Sequence, residues 1–279
     1  MPFWSPLRKR IMFSFRSFMR RNPVAPCRHD HVTTSSRGGR SSNQDAHGTF
    51  GFGDSGMGWI VADGLGGHSG GEIASRTAVD TLSAYFRTPA GGGKEALSRQ
   101  GLDSASRSAQ SAIVARQRQQ QPQYSRMGTT VVILVSDGVT ARWAHLGDSR
   151  IYRFRDGHVA AQSCDHSVPY RLYLAGEITQ AEIRTHEERN LLLRSLGDEG
   201  GWGPDISEPV PLRPQDAFLL CSDGFWQYVL EAEMEDDLSA STTARDWMDK
   251  MTARLRARVH GGHDNYTATA IRIRPGGTT

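Results

Sequence analysis

The stretch TTVVILVSDGVTARWAHLGDSRIYRFRDGHVAA, residues 129–161, decides the fold class. Runs rich in apolar and β-branched residues are broken by Asp137-Gly138 and Asp156-Gly157, pairs that favour tight turns between strands. It reads as three strands joined as hairpins, and hairpins build antiparallel sheet. Upstream, GTFGFGDSGMGWIVADG (48–64) reads as two more strands around a turn at Asp54 to Gly56. Between these blocks the period changes. Residues 71–86 carry Ile73, Ala74, Ala78, Leu82 and Tyr85 at helical spacing, and a second helical stretch runs from Lys94 to about Gln119. TPAGGG (88–93) separates the two, and the Gln-rich QRQQQPQ (117–123) closes the second. Downstream, 165–196 reads as helix and irregular loop. Strands follow around Ile206 to Val210 and in AFLLCSDG (217–224), then a helix over 243–259 and a last strand, YTATAIRIR (266–274). No repeat or internal boundary interrupts this order. The expectation is one α+β domain over 31–275, with mainly antiparallel sheets and helices on their outer faces.

Composition removes several function classes. With 279 residues, 37% of them hydrophobic, the chain can bury a sizeable core. No run approaches the ~18 consecutive apolar residues of a membrane-spanning helix. Cys27, Cys164 and Cys221 are an odd number without close spacing, which argues against a disulfide scaffold or a cysteine-built zinc site and suits a reducing cytoplasm. The net charge of +3 conceals an asymmetry. Residues 1–28 hold seven basic residues and no acid, which leaves 26 basic against 30 acidic residues over 29–279. A body that is net negative does not suit nucleic acid. The arm, residues 1–30, reads as a disordered basic tail; residues 1–28 could also form an amphipathic helix on an anionic membrane surface, or Met12 or Met19 could be the true start. Residues 32–42 read as a polar lead-in.

Four Asp-Gly pairs occur, and two are not hairpin turns. Asp63-Gly64 and Asp223-Gly224 end apolar runs (WIVAD and FLLCSD) with no returning strand. A carboxylate at the end of a buried strand is costly unless a cation or hydrogen bonds meet it. Asp45 precedes the first of the upstream strands and Asp264 precedes the last strand. Four strand-end carboxylates without a Cys or close His pair point to oxygen-rich binding of Mn²⁺ or Mg²⁺, and Gly64 leaves its carbonyl accessible. Two such ions can hold a hydroxide for in-line attack on phosphorus.

The series RSSNQD (40–45), VADGLGGHSGGE (61–72), GTT (128–130), HLGDSRIYR (145–153), DHS (165–167), LLRSLG (192–197), CSDGFW (221–226) and DN (264–265) resembles the metal-dependent serine/threonine phosphatases, the protein phosphatase 2C family. The motifs come in that family's order and span nearly the whole chain beyond the arm. The resemblance implies an α-β-β-α sandwich and hydrolysis of phosphoserine and phosphothreonine by a metal-bridged hydroxide. It places two core ions on Asp45, Asp63, the Gly64 carbonyl, Asp223 and Asp264. Arg40 matches the arginine that grips the substrate phosphate, a task that suits a planar guanidinium, against the plainer reading of a solvated loop arginine. Asp148 matches a ligand of a third ion, or else caps its own turn. Asp165, His166 and Ser167 open the segment that resembles the flap, and Asn265 is expected to orient Asp264.

Two positions depart from the pattern. Leu65 stands where eukaryotic members have a histidine acid, so a metal-bound water takes that role and His68 is not assigned it. Gln227 stands where many members have a third-site aspartate, which predicts a weak third site. Cysteine-dependent phosphatase chemistry fails because Thr33, Tyr170 and Gln227 stand six positions after the cysteines, where an arginine is required. Ten scattered histidines do not suit a binuclear zinc hydrolase. The rival is a catalytically silent phosphatase-like binding module. The resemblance further implies a monomeric cytoplasmic enzyme that acts on phosphoproteins and opposes a Ser/Thr kinase. RNLLLRSLG and CSDGFWQYV point to the type VI secretion members, where the setting includes a forkhead-associated scaffold.

Overall fold

The computed structural model describes residues 26–65, 70–119, 127–200 and 202–276. In chain order the elements are β1 (Arg28–Ser36), β2 (Ala46–Phe52), β3 (Gly56–Ala62), the short β4 (Gly64–Leu65), α1 (Gly70–Arg87) and α2 (Arg99–Gln119). Then come β5 (Gly128–Thr129), β6 (Val131–Ser136), β7 (Thr140–Leu146), β8 (Arg150–Arg155), β9 (His158–Gln162) and α3 (Val168–Leu174). The chain continues with β10 (Asp205–Ile206), β11 (Val210–Pro211), β12 (Ala217–Cys221), α4 (Asp223–Trp226), α5 (Glu231–Ser239), α6 (Ala244–Arg258) and β13 (Tyr266–Arg274).

One sheet runs β1-β13-β12-β8-β9 and the other β10-β7-β6-β3-β2, with β11 also on β7. Every ladder is antiparallel. Side-chain alternation explains why the sheets stack. In β12, Phe218 and Leu220 point between the sheets, where they meet Trp59, Val132, Leu134 and Ile271. Ala217, Leu219 and Cys221 point the other way, into a second core with Trp247, Met251 and Leu255 of α6. In β3, Ile60 and Ala62 face a third core made with Ala74, Ala78 and Leu82 of α1 and Leu102 and Ile113 of α2. The layers are therefore helix, sheet, sheet, helix. This is the α-β-β-α sandwich that the resemblance implied.

The strands share one functional edge. β1 and β12 end there, and antiparallel β13 and β8 begin there. In the second sheet β3 and β7 end at the edge where β2 and β6 begin. Asp45, Asp63, Asp148, Asp223 and Asp264 all lie at these ends, so the topology gathers them.

Several boundaries differ from the reading of the sequence. The supposed lead-in at 32–42 contains most of β1, and the boundary at residue 30 falls inside that strand. β1 is an edge strand paired along its whole length with β13. Thr33 and Ser35 bond the Thr269 and Thr267 hydroxyls at 2.9 and 2.8 Å, so this half-buried to exposed edge strand carries polar residues and shows no apolar alternation. The segment 129–161 holds four principal strands instead of three, because Gly147 to Ser149 carry the chain from one sheet to the other. Residues 94–119 divide into a 3₁₀ turn (Gly93–Leu97) and α2. The strand expected near 206–210 is two short bridges to β7. α5 was not anticipated: EAEMEDDLS offers little more than Met234 and Leu238 as an apolar stripe. The arm up to residue 25 lies outside the described residues. Among the described residues no helix is long and apolar enough to cross a membrane.

Asp30 accepts from the first backbone N–H of α6, at Ala244 (3.0 Å), and pairs with Arg274 (2.8 Å). A chain begun at His31 loses these bonds and three residues of ladder. It should be about 1–3 kcal/mol less stable than a chain begun at Pro26, read as a lower urea midpoint; equal midpoints would show that the first third of β1 contributes nothing.

Candidate metal centre

A pocket of about 600 Å³ opens at the shared edge, and Asp63, Gly64, Asp148, Asp223 and Asp264 line it together with Arg40. Asp45 sits beneath, buried. The Ser222 hydroxyl donates to its Oδ2 at 2.8 Å, while its Oδ1 is buried without a hydrogen-bond partner. Asp63 is fixed through its backbone: its N–H donates to Thr130 Oγ1 (3.0 Å), and its carbonyl accepts from Thr130 N–H (2.9 Å) and the Thr129 hydroxyl (2.8 Å). Asp223 opens α4, and Gln227, one turn on, donates to its Oδ2 at 3.0 Å. Asp148 follows Gly147, whose φ of +100° favours glycine, and the Trp226 indole N–H holds the Asp148 carbonyl at 2.9 Å. Gly64 and Gly71 stand back to back. A Cβ on Gly64 would meet the Gly71 carbonyl oxygen at 2.2 Å, so the start of α1 reaches the pocket only because both are glycine.

The electrostatics follow from this crowding. Burial pushes the Asp45 carboxyl up to about 7, a rise to which the Asp223 charge adds. Burial also raises Asp223, to about 6, with help from Asp264. Asp63 and Asp148 are pushed well above the carboxylate range by burial and then by neighbouring aspartates. Like charges this close cannot all ionise unaided. The donor set is oxygen throughout, with a buried carboxylate oxygen left without a hydrogen-bond partner. Both features fit hard divalent cations such as Mn²⁺ or Mg²⁺.

Other expected residues take different places. Arg40 lies at the pocket rim, and its Nη2 donates to Asp264 Oδ2 at 2.8 Å. Asn265 orients Asp264 through its backbone N–H, which donates to Asp264 Oδ1 at 2.8 Å, and leaves its side chain for another task. Its Oδ1 accepts from Gln44 N–H, and its Nδ2 donates to the Arg37 and Ser42 carbonyls (2.8 and 2.9 Å), so it staples the Arg40 loop to the start of β13. Asp165, His166 and Ser167 stand at the base of the flap segment and do not line the pocket. Asp165 receives a two-pronged bond from buried Arg150 (2.8 and 2.7 Å). His166 Nδ1 accepts from Gly147 N–H, and Ser167 caps α3. His68 lies outside the described residues. Glu72, Asn190 and Leu192 also line the pocket. Glu72 stands inside a quoted motif, but nothing in its spacing announced that it faces the acids.

The protein phosphatase 2C family model matches residues 33–264. The chain belongs to the protein phosphatase 2C family. The serine/threonine phosphatase stp of Listeria innocua is 34% identical over 233 residues, 83% of this chain and 90% of that protein. The Mycobacterium tuberculosis phosphatase PstP covers 88% of this chain and 99% of its own at 31% identity, with a TM-score of 0.73. A PstP catalytic-domain structure holding two manganese ions matches at 29% identity, again with a TM-score of 0.73, over 88% of this chain and 98% of that one. PppA, a regulatory component of type VI secretion in Pseudomonas aeruginosa, is 28% identical over 89% of this chain and 99% of its own, at a TM-score of 0.69. The chain is thus a metal-dependent protein serine/threonine phosphatase of bacterial type.

The raised carboxyl groups fix the sign of a pH effect in chelator. Asp45 and Asp223 titrate at about 7 and 6 in the folded protein and near 4 when unfolded. Between these values the folded state holds more protons, so metal-free stability falls as pH rises from about 4 to 7. Asp63→Asn should therefore match or exceed the wild type in chelator at pH 7, by on the order of 1–2 kcal/mol, with the gap closing by pH 4.5. Thermal melts across that range check it, and a variant that melts lower than wild type at pH 7 would contradict it.

Proposed function

We propose that this phosphatase hydrolyses phosphoserine and phosphothreonine in proteins at a two-cation centre and so opposes a bacterial Ser/Thr kinase. The convergence of Asp63, Asp223 and Asp264 in one open pocket, with Arg40 at its rim and Asp45 buried beneath, carries this reading. These four carboxylates and the Gly64 carbonyl would hold the two core ions, and Asp148 would hold a third, weaker one. When bound, the ions lower the pKa of water and offset the charge of the phosphoryl group.

The chain's own residues do the rest. Arg40, half-exposed at the rim, presents a planar fork to phosphoryl oxygens, and Asp264 keeps that fork at the pocket mouth. Leu65 and Leu192 supply apolar wall against the substrate backbone. Ser222 and Gln227 hold Asp45 and Asp223 by hydrogen bonds, so these carboxylates are oriented before a ligand arrives. Leu65 offers no proton, so the departing alkoxide takes its proton from water. A silent binding module is the less favoured reading, because it has no use for four mutually repelling acids in one pocket.

The likeness to PppA favours a setting in type VI secretion; the kinase and forkhead-associated scaffold rest on the resemblance of RNLLLRSLG and CSDGFWQYV alone. We place the protein in the cytoplasm as a monomer. The basic residues 1–28 would be within reach of an anionic membrane surface, an attraction that salt weakens.

Turnover of para-nitrophenyl phosphate and of phosphothreonine peptides should vanish in chelator and return with Mn²⁺, and less with Mg²⁺. Asp63→Asn and Asp223→Asn should each lower kcat by about a thousand-fold or more while the far-UV spectrum is retained. Arg40→Ala should act mainly through KM, because its partner is present in ground and transition states alike. Activity that survives exhaustive chelation, or a near-normal rate in either asparagine variant, would overturn the metal assignment.

A further inference from the structure

A second concavity, of about 1100 Å³, lies between the flap segment and the α4–α5 edge. Arg150, Arg184 and Arg189 line it from one side and Gln227, Tyr228 and Glu231 from the other. Its charges do not balance. Arg150 is spent on Asp165 and the Tyr152 hydroxyl, with its guanidinium 3.5 Å over the Trp226 ring. Arg184 donates through Nη2 to Glu231, but its Nη1 is buried with no acceptor. Arg189 is exposed and makes no ion pair or side-chain hydrogen bond among the described residues. Two carboxylates, Asp165 and Glu231, thus serve three guanidinium groups, and one full charge and one buried donor are left over.

The cleft also adjoins the metal centre. Gln227 lines it and donates to Asp223, and Arg189 lines it while the next residue, Asn190, lines the catalytic pocket. Gln227 puts a neutral amide between Asp223 and the cleft, so the junction carries no carboxylate beyond Asp223 itself. An extended chain advances about 3.3 Å per residue, so a peptide with its phosphoresidue in the first pocket can put a nearby side chain in the second.

We propose that this cleft is an anion subsite that takes a second negatively charged group of the substrate, a carboxylate or a second phosphate a few residues from the one removed. Arg184 and Arg189 are its contacts. The inference rests on the phosphoprotein reading above and narrows it to substrates with an acidic or multiply phosphorylated stretch.

The test compares phosphothreonine peptides that differ only in flanking residues: Ala, Glu, or a second phosphoserine. Each is measured for kcat/KM, and its non-hydrolysable phosphonate form is measured for Kd by fluorescence anisotropy. The wild type should favour the anionic peptides by roughly ten-fold, mostly in KM and in Kd. Arg189→Gln should cut that ratio several-fold, and Arg184→Gln/Arg189→Gln should bring it within about two-fold of unity. The ratio is taken within each variant, so a general loss of activity cancels. Preference for the second phosphate over Glu, or the reverse, would name the group and support the subsite. A wild-type ratio near one, or a ratio that Arg189→Gln leaves unchanged, would overturn it. If no peptide is turned over, the phosphatase reading falls, and the Kd ratios decide the subsite by themselves.

Discussion

Carboxylates that repel one another out of water are the constraint around which this fold is arranged. Asp45, Asp63, Asp148 and Asp223 are raised by burial first and by neighbouring aspartates second, Asp264 in the case of Asp223. Left alone, such a cluster would relax by moving apart. The structure denies it that freedom by anchoring each acid at the end of a strand or helix inside a packed layer. Two sheets whose inner faces interlock through Trp59, Leu134, Phe218 and Ile271 cannot slide to separate their edges. The stability of the cores thus holds a site that is unstable in itself, and the site gains its affinity for cations from the repulsion it stores.

Polar bonds complete what packing begins. Asn265 binds the Arg40 loop at three backbone points, Thr129 and Thr130 bind the Asp63 backbone, and Ser222 binds Asp45. None of these bonds need carry much energy, since each is worth about 1 kcal/mol net. Their effect is directional, because they fix where carboxylate oxygens and the arginine fork point. The flap is tied down differently. Buried Arg150 and Asp165 form a charge pair stacked on Trp226, and removal of one partner would leave the other unpaired in a low-dielectric interior. The flap base is therefore rigid, while the face beyond it, with Arg184 and Arg189, is where substrate chemistry can be read.

Most of the architecture was legible because strand and helix leave different periods in the chain. β13 was read from YTATAIRIR to the residue, and α1 and α6 to within one or two, since each alternates or repeats against a core. β1 reads as loop because its exposed edge bonds through hydroxyls and buries only Val32, which leaves no apolar alternation. α5 was missed because it is acidic nearly all round. Asn265 meets Asp264 as adjacency in sequence suggests, through its backbone N–H, but the hold of its side chain on the Arg40 loop, more than 220 residues earlier, leaves no local signal.

The sequence by itself determined the mainly antiparallel α+β class and which acids stand at strand ends, because residue type, period and strand-end position are local properties. It also determined the family, through eight short motifs in one order. What only the tertiary structure decided is which groups share space. Arg40 meets Asp264, the flap motif Asp165 to Ser167 stands under the site without lining it, and Arg184 and Arg189 face a cleft with too few carboxylates to match them. Charge balance within a cavity is a sum over residues distant in the chain, and only the folded arrangement of the two sheets and the flap specifies which residues enter that sum.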